Sequence, residues 1–286
     1  MDTNRFNEIL LFMHLGKTAG STLKAAIMPR LSPAEKYEVT GGRQDALGLY
    51  YLEDIQADFA EAFSGGDATL KFFVGHVPIG THAIFSRPAR YITLVRDPVD
   101  RLISQYYYLH SRNLEGHPTS PSFLRLSLLE YISGHMSPDS YDGQTRALAG
   151  VTSREQIDYT DIDFPPTTEA HWAQALENID RHFLFVAPHD DVDSVICFLA
   201  RLFGLSIASV CAPFDNVTPN RPMGRPSSEV RRITAEHNAF DRRLVEHARA
   251  TFRAFTEALP YDLAADVAAL RALRDARYAA MASQAR

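Results

Sequence analysis

The chain has 286 residues, of which 45% are hydrophobic, 10% aromatic and 22% charged, and this excludes a disordered, collagenous or disulfide-scaffold protein. Its 29 basic and 35 acidic residues leave a net charge of −6, which argues against a nucleic-acid or general polyanion binder but leaves room for a local basic pocket. Two isolated cysteines, Cys197 and Cys211, no run near the ~18 apolar residues of a membrane helix and an acidic N-terminus together predict a soluble, cytoplasmic protein without a membrane span.

In chain order, Ile9 to Met13 is a short continuous apolar run, the pattern of a strand covered on both faces. A glycine-bearing loop follows from Leu15 to Thr22, then a helix from Leu23 to Met28 that Pro29 stops. Strand, glycine loop and helix form the opening unit of a nucleotide-binding α/β fold. Lys71 to Val74, leading into Gly75-His76, and Tyr91 to Val95 are further strand candidates. Asp97-Pro98 then begins a helix reaching about Arg112, with Asp97 as cap and Pro98 in the first turn, where its missing N–H costs nothing.

About residues 113–168 are rich in Gly, Pro, Ser and Asp and read as a variable insertion or lid. Trp172, Leu176 and Ile179 recur at helical spacing and read as core. Phe183 to Val186 is another buried strand, and Val192 to Phe203 a helix ended by Gly204. Ser227 opens one long helix through Phe252, and a second follows Pro260 with Leu263, Val267, Leu270 and Leu273 on one face. The alternation predicts one α/β domain over residues 1–286: a P-loop-like unit with a mainly parallel central sheet flanked by helices, plus C-terminal helices from 227 to 286.

Two loops carry charge-recognising chemistry. Gly16-Lys17-Thr18 matches the end of the Walker A pattern, but the earlier glycine that pattern needs is Leu11, and Gly20-Ser21-Thr22 follow the lysine instead. Backbone N–H groups at a helix start, an ammonium and several hydroxyls suit a phosphate or sulfate better than Mg-ATP. The plain alternative is a turn with a solvated lysine. The second loop, Arg96-Asp97-Pro98-x-x-Arg101-x-x-Ser104, follows a buried strand. There Arg96 can grip a phosphate with two parallel hydrogen bonds and Ser104 can add a hydroxyl, while Arg101 reads as a structural ion-pair partner.

His14-Leu15-Gly16-Lys17-Thr18-Ala19-Gly20-Ser21-Thr22, Gly75-His76 and Val95-Arg96-Asp97-Pro98 through Ser104 to Tyr107, in this order and spacing, resemble the carbohydrate sulfotransferase family. The heparan sulfate 2-O- and uronyl 2-O-sulfotransferase branch looks nearest. The resemblance implies transfer of a sulfuryl group from 3′-phosphoadenosine 5′-phosphosulfate (PAPS) to a hydroxyl of a sugar, glycan or small metabolite, with no metal required.

On that pattern Lys17, Thr18, Ala19, Gly20, Ser21 and Thr22 cradle the 5′-phosphosulfate, with Lys17 also stabilising the departing oxygen, and Arg96 and Ser104 hold the 3′-phosphate. His76, at a strand end, is the expected general base. The branch has a second histidine two positions earlier, where this chain has Val74, so His76 acts alone or with a carboxylate. Asn216, Thr218 and Arg221 fall in a late loop that closes over the donor or is a surface turn. Gln144 and Arg146 are expected to touch the acceptor from the variable segment, unless that segment is an ordinary exposed loop. Tyr106, Tyr107 and Tyr108 divide between core and site rim. The competing readings are a P-loop kinase or ATPase and a nucleotide-binding module without catalysis.

Overall fold

A computed structural model describes residues 7–45, 47–114, 126–133, 138–151, 166–211 and 226–284. Five parallel strands form one sheet in the order β2-β3-β1-β4-β5: β1 Ile9–Met13, β2 Lys36–Glu38, β3 Phe72–Gly75, β4 Ala89–Val95 and β5 Phe183–Pro188. The helices among the described residues are α1 Gly20–Ile27, α2 Leu52–Ala62, α3 Pro98–Leu114, α4 Leu128–Ser133, α5 Gly143–Ala149, α6 Glu169–His182, α7 Val192–Leu202, α8 Ser228–His237, α9 Ala239–Glu257 and α10 Leu263–Gln284. This is the α/β domain expected, with a parallel central sheet and C-terminal helices.

β1 is buried along its whole length because helices cover both sheet faces. Successive side chains point to opposite faces, so Leu10 and Phe12 join Leu23 and Ile27 of α1 and Val195, Ile196 and Leu199 of α7. Ile9, Leu11 and Met13 join Ile55 and Phe59 of α2, Leu148 of α5, and Leu244 and Ala248 of α9. Leu11, where a Walker A loop would need glycine, is therefore a core strand residue. α10 packs on α7 through Leu263, Val267 and Leu270, and Asp193 of α7 pairs with Arg271 and Arg274. Leu273, expected on that buried face, is exposed.

Two expected elements differ in detail. The single long helix after Ser227 is split at Asn238, whose backbone leaves the helical region. Asn238 is fully buried; it donates from Nδ2 to the carbonyls of Ser140 and Thr234 and accepts the Asp142 amide, so tertiary hydrogen bonds replace helix continuity there. The 113–168 segment, expected as an insertion or lid, contributes α4 and the buried helix α5 in its described part.

The order places β1 between β3 and β4. The loops after β1, β3, β4 and β5 all emerge at the carboxyl ends of the strands, where the chain switches direction and ligand crevices form in open sheets.

Candidate active site

The loop after β1 is held by its own backbone. Lys17 (φ 66°) and Ala19 (φ 71°) both take the left-handed conformation that side chains disfavour. Thr18, fully buried between them, donates its hydroxyl to the Leu15 carbonyl at 2.8 Å. α1 starts immediately after, with no side-chain cap at Ala19 and no acidic residue in its first turn. The positive end of its dipole and the amides of Gly20 and Ser21, which precede the Thr22 and Leu23 amides held by the Ala19 carbonyl, therefore lie at the loop. Thr22 is buried in that first turn, and its amide bonds the Ala19 carbonyl. Gly20 is needed for space: a Cβ there would lie 2.0 Å from the ring of His14.

Lys17 extends its ammonium over the ring of Tyr108 on α3, 3.9 Å from the centroid. Burial, with the nearby Arg96 charge, brings its pKa down to about 8.

Arg96 leaves the end of β4 and donates from Nη1 to the Lys17 carbonyl at 3.1 Å, so the two loops meet. Its own backbone is fixed from a distance. Gln144 accepts the Arg96 amide on Oε1 (2.8 Å) and donates Nε2 back to the Arg96 carbonyl (2.9 Å). Asp241 of α9, fully buried, receives Gln144 Nε2 and the amide and hydroxyl of Thr145. Asp142 in turn accepts the Asp241 amide; burial and the Asp241 charge raise its pKa.

Gln144 and Arg146, expected at the acceptor, are instead buried in α5. Gln144 is engaged with Arg96 and Asp241, and Arg146 donates Nε to the Tyr141 carbonyl. Beside Arg96 a cleft of about 230 Å³ opens between Asp97, Asp100, His189 and Arg249.

α3 is anchored under these loops. Asp97 caps it by accepting the Val99 and Asp100 amides. Arg101, fully buried, pairs with Asp139 at 2.9 Å, the structural role its spacing suggested. Ser104 is buried one turn before Tyr108, on the same helix face.

His76 follows β3. Met13 of β1 pairs in register with Gly75, which brings the next residues, His14 and His76, side by side. Their rings stack with centroids 4.6 Å apart, and Phe12 stacks on the far side of His14. The bare Gly75 lets Val39 close over β3, where a Cβ would meet it at 2.8 Å, and the Tyr50 amide bonds the His76 carbonyl.

Burial, then the charges of His76, Lys24 and Lys17, drive His14 down to about 3. His76 is lowered chiefly by burial and also by Lys24. A hydrogen bond from its ring to the His14 backbone and the charges of Asp139 and Glu38 oppose the shift. Glu38 itself pairs with Lys24 at 2.5 Å.

His14 is the residue that motif reading passed over. A second imidazole is present, but it comes from the neighbouring strand, and the parallel register is what reveals it. Asn216, Thr218 and Arg221 lie outside the described residues.

A family model for galactose-3-O-sulfotransferase matches residues 3–283. The chain belongs to the galactose-3-O-sulfotransferase family. It is thus a carbohydrate sulfotransferase by family, a transferase acting on a sugar, as the three motifs implied. The heparan sulfate 2-O- and uronyl 2-O- branch is not confirmed. No curated protein matches the chain. Members of this family are Golgi-lumenal type II membrane enzymes, so the cytoplasmic expectation is corrected. It rested on the two lone cysteines, the lack of a long apolar run and the acidic N-terminus; both cysteines are buried free thiols, a state that does not discriminate between redox compartments. Among the described residues no helix is long and apolar enough to cross a membrane.

Proposed function

We propose that this galactose-3-O-sulfotransferase family member moves the sulfuryl group of PAPS to a hydroxyl of a galactoside, with His76 as general base and Lys17 stabilising the departing phosphate oxygen. The single observation that carries the reading is the Arg96 Nη1 bond to the Lys17 carbonyl. It brings the guanidinium of one anion-binding corner against the turn of the other, the adjacency that a donor with phosphate at both ends of its ribose calls for.

The residues present fit that donor. The left-handed turn at Lys17 and Ala19, with Gly20, Ser21 and Thr22 opening α1, offers N–H groups and hydroxyls to the 5′-phosphosulfate. Arg96 and the Ser104 hydroxyl are assigned to the 3′-phosphate.

His76 enters neutral, because burial lowers its pKa from 6.5. One ring nitrogen donates to the His14 backbone, which leaves the other to accept the acceptor's proton. As the new O–S bond forms and the S–O bond to phosphate breaks, charge grows on the departing oxygen. Lys17 and the first-turn N–H groups of α1 meet that charge from fixed positions, which bulk water cannot do. Adenosine 3′,5′-bisphosphate leaves, and His76 carries the proton. His14, stacked on His76 and neutral, keeps the base ring oriented without adding a second charge.

Incubation with PAPS and lactose, read by mass spectrometry of the sugar, tests this. Sulfated lactose is expected, and His76→Ala should reduce turnover by roughly 10²–10⁴-fold while retaining donor binding. Transfer undiminished in His76→Ala would remove His76 from the role of base.

A further inference from the structure

Tyr108 belongs to a run of three tyrosines that face different surroundings. Tyr106 donates its hydroxyl to the Leu126 carbonyl and packs against Tyr131, and Tyr107 meets the edge of Tyr106. Tyr108 instead turns toward the glycine loop and places its ring face under the Lys17 ammonium at 3.9 Å. α3 lies alongside that loop: Gln105 Oε1 comes 4.0 Å from where a Cβ on Gly16 would be.

The other surroundings of Lys17 discourage its charge. Burial and the Arg96 guanidinium at the end of β4 both act against it. The Lys17 charge in turn helps to keep His14, on the β1 side, in its neutral form. The negative face of an aromatic ring is a favourable neighbour for that charge.

We propose that Tyr108 is a positioning residue for Lys17: its ring seats the ammonium beside the glycine turn and keeps it protonated there for the departing oxygen. The catalytic use of that seat rests on the proposed role of Lys17, whereas the seat itself does not.

The test compares the full-length chain with Tyr108→Leu and Tyr108→Phe. Leucine keeps apolar bulk without a π face; phenylalanine keeps the face without the hydroxyl. The pH dependence of Lys17 acylation by acetic anhydride, followed on its peptide by mass spectrometry, reads the lysine directly. Tyr108→Leu should shift that titration about one pH unit lower, and Tyr108→Phe should match the parent.

With PAPS and lactose, Tyr108→Leu should lose roughly tenfold in kcat with little change in KM for PAPS, and Tyr108→Phe should restore kcat. A residue that only packs the helix would leave the Lys17 titration unmoved. Should Tyr108→Leu melt markedly earlier than the parent, Tyr108→Met is used in its place. Parent-like titration in Tyr108→Leu, or a leucine-like shift in Tyr108→Phe, overturns the proposal. If the parent neither binds adenosine 3′,5′-bisphosphate nor sulfates lactose, the functional reading fails, and the acylation series still decides whether Tyr108 holds Lys17.

Discussion

The turn after β1 and the arginine after β4 sit side by side, joined by the Arg96 hydrogen bond to the Lys17 carbonyl, yet the chain builds them by opposite means. The turn is local: left-handed Lys17 and Ala19, the Thr18 hydroxyl on Leu15 and the bare Gly20 all lie within six residues. Arg96 is held by Gln144, 48 positions away in the chain, and through it by Asp241 of α9. A site made of one strained turn and one long-range buried network tolerates different substitutions in its two halves. Local backbone conformation governs the first, and satisfaction of buried polar groups governs the second.

The largest effect is expected where the network half is anchored. Asp139→Ala strips the partner from fully buried Arg101 and should lower unfolding free energy by about 3–5 kcal/mol in a urea titration. A loss under 1 kcal/mol would mean the pair does not hold α3 in place.

In the turn, two adjacent residues should respond in opposite directions. Gly20→Ala drives a methyl into the His14 ring, which is confined between Phe12 and His76, and should cost about 1–3 kcal/mol. Ala19→Gly relieves a left-handed alanine and should raise or preserve stability. Equal losses from both would show that the turn's conformation is not what stores the strain.

Gln144→Leu leaves the turn intact but frees the Arg96 backbone. It should weaken adenosine 3′,5′-bisphosphate binding roughly tenfold, about 1.4 kcal/mol, and weaken AMP much less, by calorimetric titration. Parallel losses for both nucleotides would remove Arg96 from recognition of the 3′ end.

The smallest effect is a pH dependence in the same network. The folded pKa of Asp142 is raised above 3.8, so above that pH the native state binds more protons than the unfolded chain and stability declines as pH rises. Asp142→Asn removes this dependence and suits the left-handed φ of 52°. It should gain about 1 kcal/mol over the parent at pH 8 and converge with it near pH 4. A constant offset across that range would show that the carboxylate pair is not the source.

The same contrast explains what the sequence could convey. β1, the glycine loop, β4, the Asp97 cap and α7 were legible because their signals are contiguous. β2 and α2 were missed: β2 is three half-buried residues, too short for a period, and α2 buries only Ile55 and Phe59. Gln144 looked like a surface residue because nothing near it in the chain reveals Asp241. His14 was visible as a letter but not as a partner of His76, since the stack exists only through the β1–β3 register. Residues that act alone at strand ends could be read; those acting through a distant neighbour could not.

The central claim, two anion corners meeting over one donor, is tested most directly by ligand-induced thermal stabilisation of the parent and of Arg96→Ala. Adenosine 3′,5′-bisphosphate should stabilise the parent, by about 2.7 kcal/mol at ~100 times its Kd, well beyond any effect of ATP with Mg²⁺. Arg96→Ala should lose most of that gain. Stabilisation by Mg-ATP in preference to the bisphosphate, or a full response to the bisphosphate without Arg96, would contradict the account.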